Sequence, residues 1–175
     1  SAWLGKLVVD GNLVPNAITK HMFGSLLIVA LLVVINFISG DRKKIEVSKT
    51  YKFLLLFGFV LLVAQILLGT QVREQIDEIA LDHSNRTTWI DLLDVKVLVH
   101  RSFSLAIFFL GVLLFWRNWK NEYNLSSVGT FAVLVTLEII AGIVLFYFDV
   151  PSFMQPIHLL LSTAMFALLV WAVIR

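Results

Sequence analysis

Long apolar stretches separated by short polar linkers form the main pattern of this chain. Met22–Ser39 and Phe53–Val72 are runs of 18 and 20 residues without an ionisable side chain. A helix rises about 1.5 Å per residue, so such runs match the roughly 30 Å hydrocarbon core of a membrane. The whole pattern predicts an all-α membrane protein, a transmembrane helix bundle. Its predicted spans lie near residues 17–39, 53–72, 97–116, 127–148 and 156–174.

Composition supports a membrane protein over other classes. Of the 175 residues, 59% are apolar and 15% are charged, whereas a soluble domain has about 45–50% apolar and 25% charged residues. These values exclude a soluble enzyme, a nucleic-acid binder and a disordered chain. The sequence has no cysteine, which excludes disulfides, thiolate metal sites and covalent attachment through a C-x-x-C-H motif.

The charged linkers predict how the spans are oriented. Linkers 40–52 and 117–126 favour basic residues, and linker 73–96 has three basic residues against six acidic ones. Short loops rich in Lys and Arg stay on the cytoplasmic side. We therefore expect 40–52, 117–126 and Arg175 inside. The segments expected outside are 1–16, 73–96 and 149–155.

The outer linker 73–96 contains a second, weaker pattern. Apolar residues recur at helical spacing between its acidic residues; they are Val72, Ile76, Ile79 and Ala80. One interpretation is a short amphipathic helix on the outer membrane surface. The other is an extension of the preceding span.

An internal repeat relates distant parts of the chain. Trp3-Leu4-Gly5, Val14-Pro15 and His21 are echoed by Ile140-Ala141-Gly142, Val150-Pro151 and His158. The glycine precedes the histidine by sixteen residues in both copies. A third segment shares the helix ending, because Gln65–Gly69 aligns with Glu138–Gly142. We expect Gly69 and Gly142, together with Gly58 and Gly111, to allow close helix approach.

Three histidines in the predicted spans share one local pattern. His21, His100 and His158 are each followed four residues later by a serine, namely Ser25, Ser104 and Ser162. Positions i and i+4 share a helix face, so a small residue lies one turn below each imidazole and leaves space for a flat macrocycle.

The depth of these histidines favours metal ligation over a structural role. A single histidine near a membrane interface is commonly a hydrogen-bonding residue, whereas three at one depth with the same serine offset favour ligation. His100 and His158 lie on spans that run in the same direction. They are expected to face one another as ligands of a non-covalently held, six-coordinate haem iron. His83 lies in the acidic linker and is expected to be solvated.

His21 has no predicted partner in this chain. The repeat places its mate on a helix before residue 1, which predicts five helices of an eight-helix protein. In this division, residues 1–40 end a first four-helix unit and residues 41–52 form a cytoplasmic linker. Residues 53–175 form a complete second bundle, which includes the outer loop 73–96.

With these residues, the sequence resembles the haem A synthase family over essentially the whole chain. Three motifs carry the resemblance. They are Gln65-Ile-Leu-Leu-Gly69-Thr-Gln-Val-Arg73-Glu74-Gln-Ile-Asp77, His100-Arg101-Ser102-Phe103-Ser104, and Val150-Pro151 leading to Gln155-Pro156-Ile157-His158. The resemblance implies two pseudo-symmetric four-helix bundles in a multi-pass protein of the bacterial inner membrane, in contact with membrane lipid.

The resemblance also implies cofactors, a reaction and partners. His100 and His158 would ligate a haem b cofactor, and His21 would be one of two histidines at a haem O substrate site. The reaction is oxidation of a haem O ring methyl to a formyl group, through two hydroxylations and loss of water, to give haem A. Haem O synthase is the implied upstream partner, and the electron acceptor is unknown. The earlier helices, with an acidic residue thought to be catalytic, are absent, so we expect this segment to hold the cofactor without oxidising substrate.

Charged residues near the histidines have two interpretations each. Arg101 either pairs with a haem propionate or extends its charged end to interfacial water. Arg73 and Glu74 either close over the haem edge or form a solvated face. Glu138 lies near the middle of its span, where an unpaired charge is costly. A hydrogen bond to another helix is favoured there over a proton relay.

Two other functions compete with the synthase. A bis-histidine di-haem cytochrome b for electron transfer would share His100 and His158 and would hold a permanent haem at both sites. A small transporter or structural membrane protein would bind no haem.

Overall fold

A computed structural model describes Lys6, residues 17–40 and residues 45–175. Its five long helices are α1 (Ala17–Ser39), α2 (Lys49–Asp82), α3 (Val95–Lys120), α4 (Ser126–Tyr147) and α5 (Met154–Ile174). Two short 3₁₀ turns lie between α2 and α3, and the described residues contain no strand. All five helices are long and apolar enough to cross a membrane. The predicted all-α fold class and the five spans are thereby confirmed.

Helices α2 to α5 form a four-helix bundle. Each packs against the next along the chain, and α5 returns to contact α2, which closes the ring. Helix α1 lies outside the ring, against α5 and α2. Large side chains from all four bundle helices fill the centre; they include Tyr51, Leu62, Leu114, Phe131 and Leu169. Many apolar residues point outward, as expected where the surroundings are lipid rather than water.

The start of each of two bundle helices follows from its capping residue. The Ser48 side chain accepts a hydrogen bond from the Tyr51 backbone N–H (3.2 Å) and begins α2. The Asp94 carboxylate accepts from the Lys96 backbone N–H (2.7 Å) and begins α3. Both are standard ways to satisfy an N–H group that has no partner within its helix.

Helix α2 continues ten residues beyond the predicted end of its span. The apolar stripe of 73–80 is therefore an extension of the span rather than a separate surface helix. Ile76 is buried with Trp89 and Val150, and Val72, Ile79 and Ala80 pack around this second cluster. The stripe thus packs against the 3₁₀ turns and the α4–α5 turn.

Some of the predicted features lie outside the described residues. These are Trp3–Gly5, Val14-Pro15 and the basic linker segment Arg42–Lys44. The sidedness of the loops and the division at residues 40 and 52 stay predictions.

The buried side chain of Asn118 fixes the turn between α3 and α4. Its side-chain amide donates to the Leu125 carbonyl (3.2 Å), and its oxygen accepts from the Leu125 N–H (3.0 Å). This residue, Asn118, is among the few buried polar residues. The turn also places Glu122 and Asn124 at φ values of 55° and 54°, a conformation that non-glycine residues adopt only with support.

Asn118→Ala is expected to lower the free energy of unfolding by about 1–3 kcal/mol, because it leaves the buried Leu125 N–H without a partner and removes one of the two hydrogen bonds that the Leu125 carbonyl accepts. Thermal unfolding of the purified protein in detergent measures the effect. Asn121→Ala is the control, since this exposed side chain makes one hydrogen bond to Arg117 of its own helix. Equal melting temperatures for the two variants would contradict the prediction.

Candidate functional site

Two histidines face one another inside the bundle. His100 lies in the second turn of α3, and His158 is the fifth residue of α5. Because α4 reverses the chain between them, α3 and α5 run in the same direction and both histidines lie at the same end of the bundle. Their ring centres are 6.5 Å apart, and the ring planes make an angle of 71°. The structure thus brings together the pair that the sequence places at one depth.

Each ring packs against a glycine of the preceding helix. A Cβ atom on Gly69 would lie 3.1 Å from Cε1 of His100, which is tighter than ordinary contact. A Cβ atom on Gly142 would lie 3.6 Å from Cε1 of His158. The two glycines occupy equivalent positions in the repeat. The repeat therefore places a glycine of one helix beside an imidazole of the next, and the fit is tight at Gly69 and ordinary at Gly142.

The residue four before each glycine also contacts the neighbouring histidine. Gln65 donates through Nε2 to the backbone carbonyl of His100 (3.0 Å). Glu138 has its Oε2 atom 3.3 Å from Nδ1 of His158. Glu138 thus contacts His158 on α5, and the predicted hydrogen bond to another helix stays a prediction, because Oε2 has no hydrogen-bond partner among the described residues.

Several buried polar atoms at this site have no hydrogen-bond partner. They are Nδ1 of His100 and His158 and side-chain oxygens of Gln65 and Glu138; the other such atoms among the described residues belong to His21, Ser127 and Arg175, outside the pair. Most buried polar atoms in proteins do have a partner, because leaving one unpaired costs free energy. The two facing imidazoles and the side chains behind them therefore form the candidate ligand site.

The donor set fits a haem held between two imidazoles. Two imidazoles that share one metal through bonds of about 2 Å have ring centres roughly 6 Å apart, close to the 6.5 Å observed. The two serines one turn further on do not contact the rings. Ser104 and Ser162 donate to backbone carbonyls of their own helices, at Arg101 and Leu159 (2.6 and 3.0 Å). Both remain small residues beside the site. Bis-histidine ligation is a known arrangement for haem iron.

His21 is not part of this pair. It lies on α1, outside the four-helix ring, and no ring contact among the described residues joins it to His100 or His158. Ser25 donates to the His21 carbonyl (2.9 Å). The start of α1 is tied to α2, where Glu74 accepts from the backbone N–H and the hydroxyl of Thr19 (3.2 Å each). Glu74 therefore holds two helices together.

Two arginines at this end of the bundle have partners within the protein. Arg73 forms an ion pair with Asp77 (2.6 Å) and a hydrogen bond with Gln155, which joins α2 to the first turn of α5. The Arg101 guanidinium lies 4.1 Å from the ring centre of Phe146 on α4. This cation–π contact was not foreseen from the sequence. The predicted contact of Arg101 with a propionate stays a prediction.

The turn between α4 and α5 sets the position of His158. Asp149 and Val150 have φ values of 56° and 53°, which is strained for a β-branched residue. Three hydrogen bonds hold Val150: its N–H donates to the Leu145 carbonyl (3.0 Å), and its own carbonyl accepts from Arg86 (2.9 Å) and Gln155 (3.3 Å). The role of Arg86 was missed, because nothing in its local sequence indicates a partner sixty-four residues away.

The loop before α3 covers the same end of the bundle. The Trp89 indole N–H donates to the His83 carbonyl (2.8 Å), and its ring is buried beside Ile76. The His83 side chain is exposed, as its acidic surroundings predict. The loop thus packs, through Trp89, on the end of the bundle that carries the two histidines.

Comparison with known families now identifies the chain. Residues 1–170 match the family model COX15-CtaA, described as cytochrome oxidase assembly protein. The chain belongs to the COX15-CtaA family. This confirms the predicted resemblance to the haem A synthases, and it gives this COX15-CtaA member a role in cytochrome oxidase assembly. No curated protein and no solved structure matches the chain.

The two glycines are expected to respond differently to alanine. Gly142→Ala should stabilise the haem-free protein by up to about 1 kcal/mol, because alanine favours a helix interior over glycine and its Cβ meets His158 at an ordinary distance. Gly69→Ala should stabilise less or destabilise, because its Cβ meets the His100 ring at 3.1 Å. Thermal unfolding of both variants in detergent tests this difference. Equal stabilisation by both would contradict the packing described above.

Proposed function

We propose that this chain is the haem b-binding part of a haem A synthase. The enzyme oxidises a ring methyl of haem O to a formyl group and so provides haem A for cytochrome oxidase. The observation that carries the proposal is the apposition of His100 and His158 inside the bundle, with ring centres 6.5 Å apart. Family membership supports it, because cytochrome oxidase assembly needs the cofactors of the oxidase.

In this proposal, the residues around the pair bind and orient the cofactor. His100 and His158 would hold the haem iron, and Gly69 keeps the space in which the His100 ring lies. Gln65 fixes α3 against α2 through the His100 carbonyl. The surrounding apolar bundle excludes water from the ligands. A haem b held there would supply an electron-transfer step away from the substrate, and the protein supplies position and electrostatics.

His21 belongs to a different site in this proposal. It lies on α1, which packs on the outside of the ring, and its Nδ1 is buried without a partner. We assign it to the haem O substrate, with a second imidazole from another helix. The separation of His21 from the pair supports two haem sites with different roles rather than one shared site.

Pigment analysis of the full-length protein separates the synthase from its closest competitor. When produced in cells that supply haem O, a synthase yields haem O or haem A in addition to haem b. A di-haem cytochrome b yields only haem b. Recovery of haem b alone, with no formyl haem formed, would contradict the synthase proposal and support the electron-transfer protein.

Replacement of either axial histidine is expected to abolish the haem b of this bundle. His100→Ala and His158→Ala should each reduce the Soret absorbance from this haem by at least tenfold, because six-coordinate ligation needs both imidazoles. Absorbance spectra of the purified full-length variants, normalised to protein, give the measurement.

His83→Ala is the matched control, since His83 is an exposed histidine in the loop at the same end of the bundle. It should retain the parent spectrum. A Soret band of parent intensity in either axial variant would disprove the assignment of that ligand.

A further inference from the structure

The two facing histidines differ in the groups behind them. Nδ1 of His158 lies 3.3 Å from the Glu138 carboxylate, and the side chains are only 25% and 15% exposed. Behind His100, the equivalent position in the repeat is the neutral Gln65, whose amide N–H bonds the backbone carbonyl rather than the ring. One imidazole of the pair therefore has a carboxylate partner and the other does not.

The position of Glu138 is costly without such a partner. It lies midway along α4, a helix of 22 residues that is otherwise free of ionisable groups except Tyr147 at its end. Carboxylates inside membrane helices are rare and normally pair with another polar group. Across the described residues, the group that approaches Glu138 within ion-pair distance is His158.

The contact is within reach of a hydrogen bond but is not aligned as one. Both Nδ1 of His158 and Oε2 of Glu138 are buried and lack another partner. The last torsion of a glutamate side chain is broad, so turning the carboxylate toward Nδ1 costs little. The backbone carbonyl of Glu138 also lies near the His158 ring, so the same residue offers this ring two acceptors.

We propose that Glu138 is a positioning residue for the haem of this bundle. Its carboxylate accepts the Nδ1–H of His158, fixes the orientation of the ring and leaves Nε2 free to bind the iron. Histidine ligands commonly donate their second N–H to a carboxylate, which raises the basicity of the ligand. This inference rests on the proposed binding of haem b between His100 and His158.

A specific electronic consequence follows from this arrangement. A more basic imidazole and a nearby negative charge both favour the ferric over the ferrous state, so the reduction potential falls. The two axial ligands are then unequal, with His158 the stronger donor. The carboxylate therefore favours loss of the electron from the bound haem.

Redox titration of the full-length holoprotein tests the proposal. Glu138→Gln keeps the size of the side chain and removes its charge. At a fixed potential near the parent midpoint, the ratio of reduced to oxidised haem b should rise about fivefold.

Glu122→Gln is the control, because it removes the same charge from an exposed carboxylate at the other end of the bundle. Its ratio should equal that of the parent.

Glu138→Asp provides a second variant. Its carboxylate is one methylene farther from Nδ1, so the ratio should rise less than in Glu138→Gln. It replaces Glu138→Gln in the test if that variant loses its haem. An unchanged ratio of reduced to oxidised haem in the variant that retains haem would overturn the positioning role. This holds even if the melting temperature or the haem content of that variant falls. A purely structural residue lowers the melting temperature and the haem content without moving the reduction potential.

Failure of the proposed function gives a different result. If the parent holoprotein shows no Soret band from this bundle, the haem b proposal is wrong and the role of Glu138 falls with it. If the parent binds haem and the titration shows no shift, the positioning role alone is wrong.

Discussion

Inside an apolar bundle a polar atom has no water to bond with, and this constraint determines how the polar side chains of the chain are arranged. Asn118 satisfies both backbone groups of Leu125, and Thr70 donates to the Leu67 carbonyl. Against this general satisfaction, the unpartnered ring nitrogens of His100 and His158 are among the exceptions, with side-chain oxygens of Gln65 and Glu138 beside them. In our proposal, the partner of the two facing imidazoles is a bound ligand. The functional proposal depends on this contrast more than on the presence of histidine.

The repeat gives the site a near-symmetric construction with one asymmetric element. Gly69 and Gly142 each leave space for an imidazole on the following helix. The residues four positions earlier differ, because Gln65 is neutral and Glu138 is acidic. Symmetry of backbone and packing sets the distance between the rings, while this single difference in charge distinguishes them. In our proposal, the same packing unit thus supplies both ligation and control of the electron affinity of the haem.

The sequence predicts features that depend on periodicity and fails for those that depend on tertiary contact. The five spans follow from predominantly apolar runs about as long as a membrane is thick. The meeting of His100 and His158 follows from their equal depth on helices that run in the same direction. In contrast, the extension of α2 to Asp82 is stabilised by packing of Ile76 against Trp89 and Val150. The position of Arg101 is stabilised by the Phe146 ring. These contact partners are too far away along the chain for the local sequence to reveal them.

The α4–α5 turn shows how a distant contact maintains the site. Glu138 and His158 are twenty residues apart, so their contact requires the chain to reverse in one particular register. Val150 adopts φ of 53° in this turn, a conformation that costs on the order of 1–3 kcal/mol unless the surroundings favour it. The guanidinium of Arg86 and the amide of Gln155 both bond its carbonyl, and its side chain is buried. Arg86 of the loop between α2 and α3 and Gln155 of α5 therefore stabilise the strained turn. This turn places the His158 ring against Gly142 and Glu138.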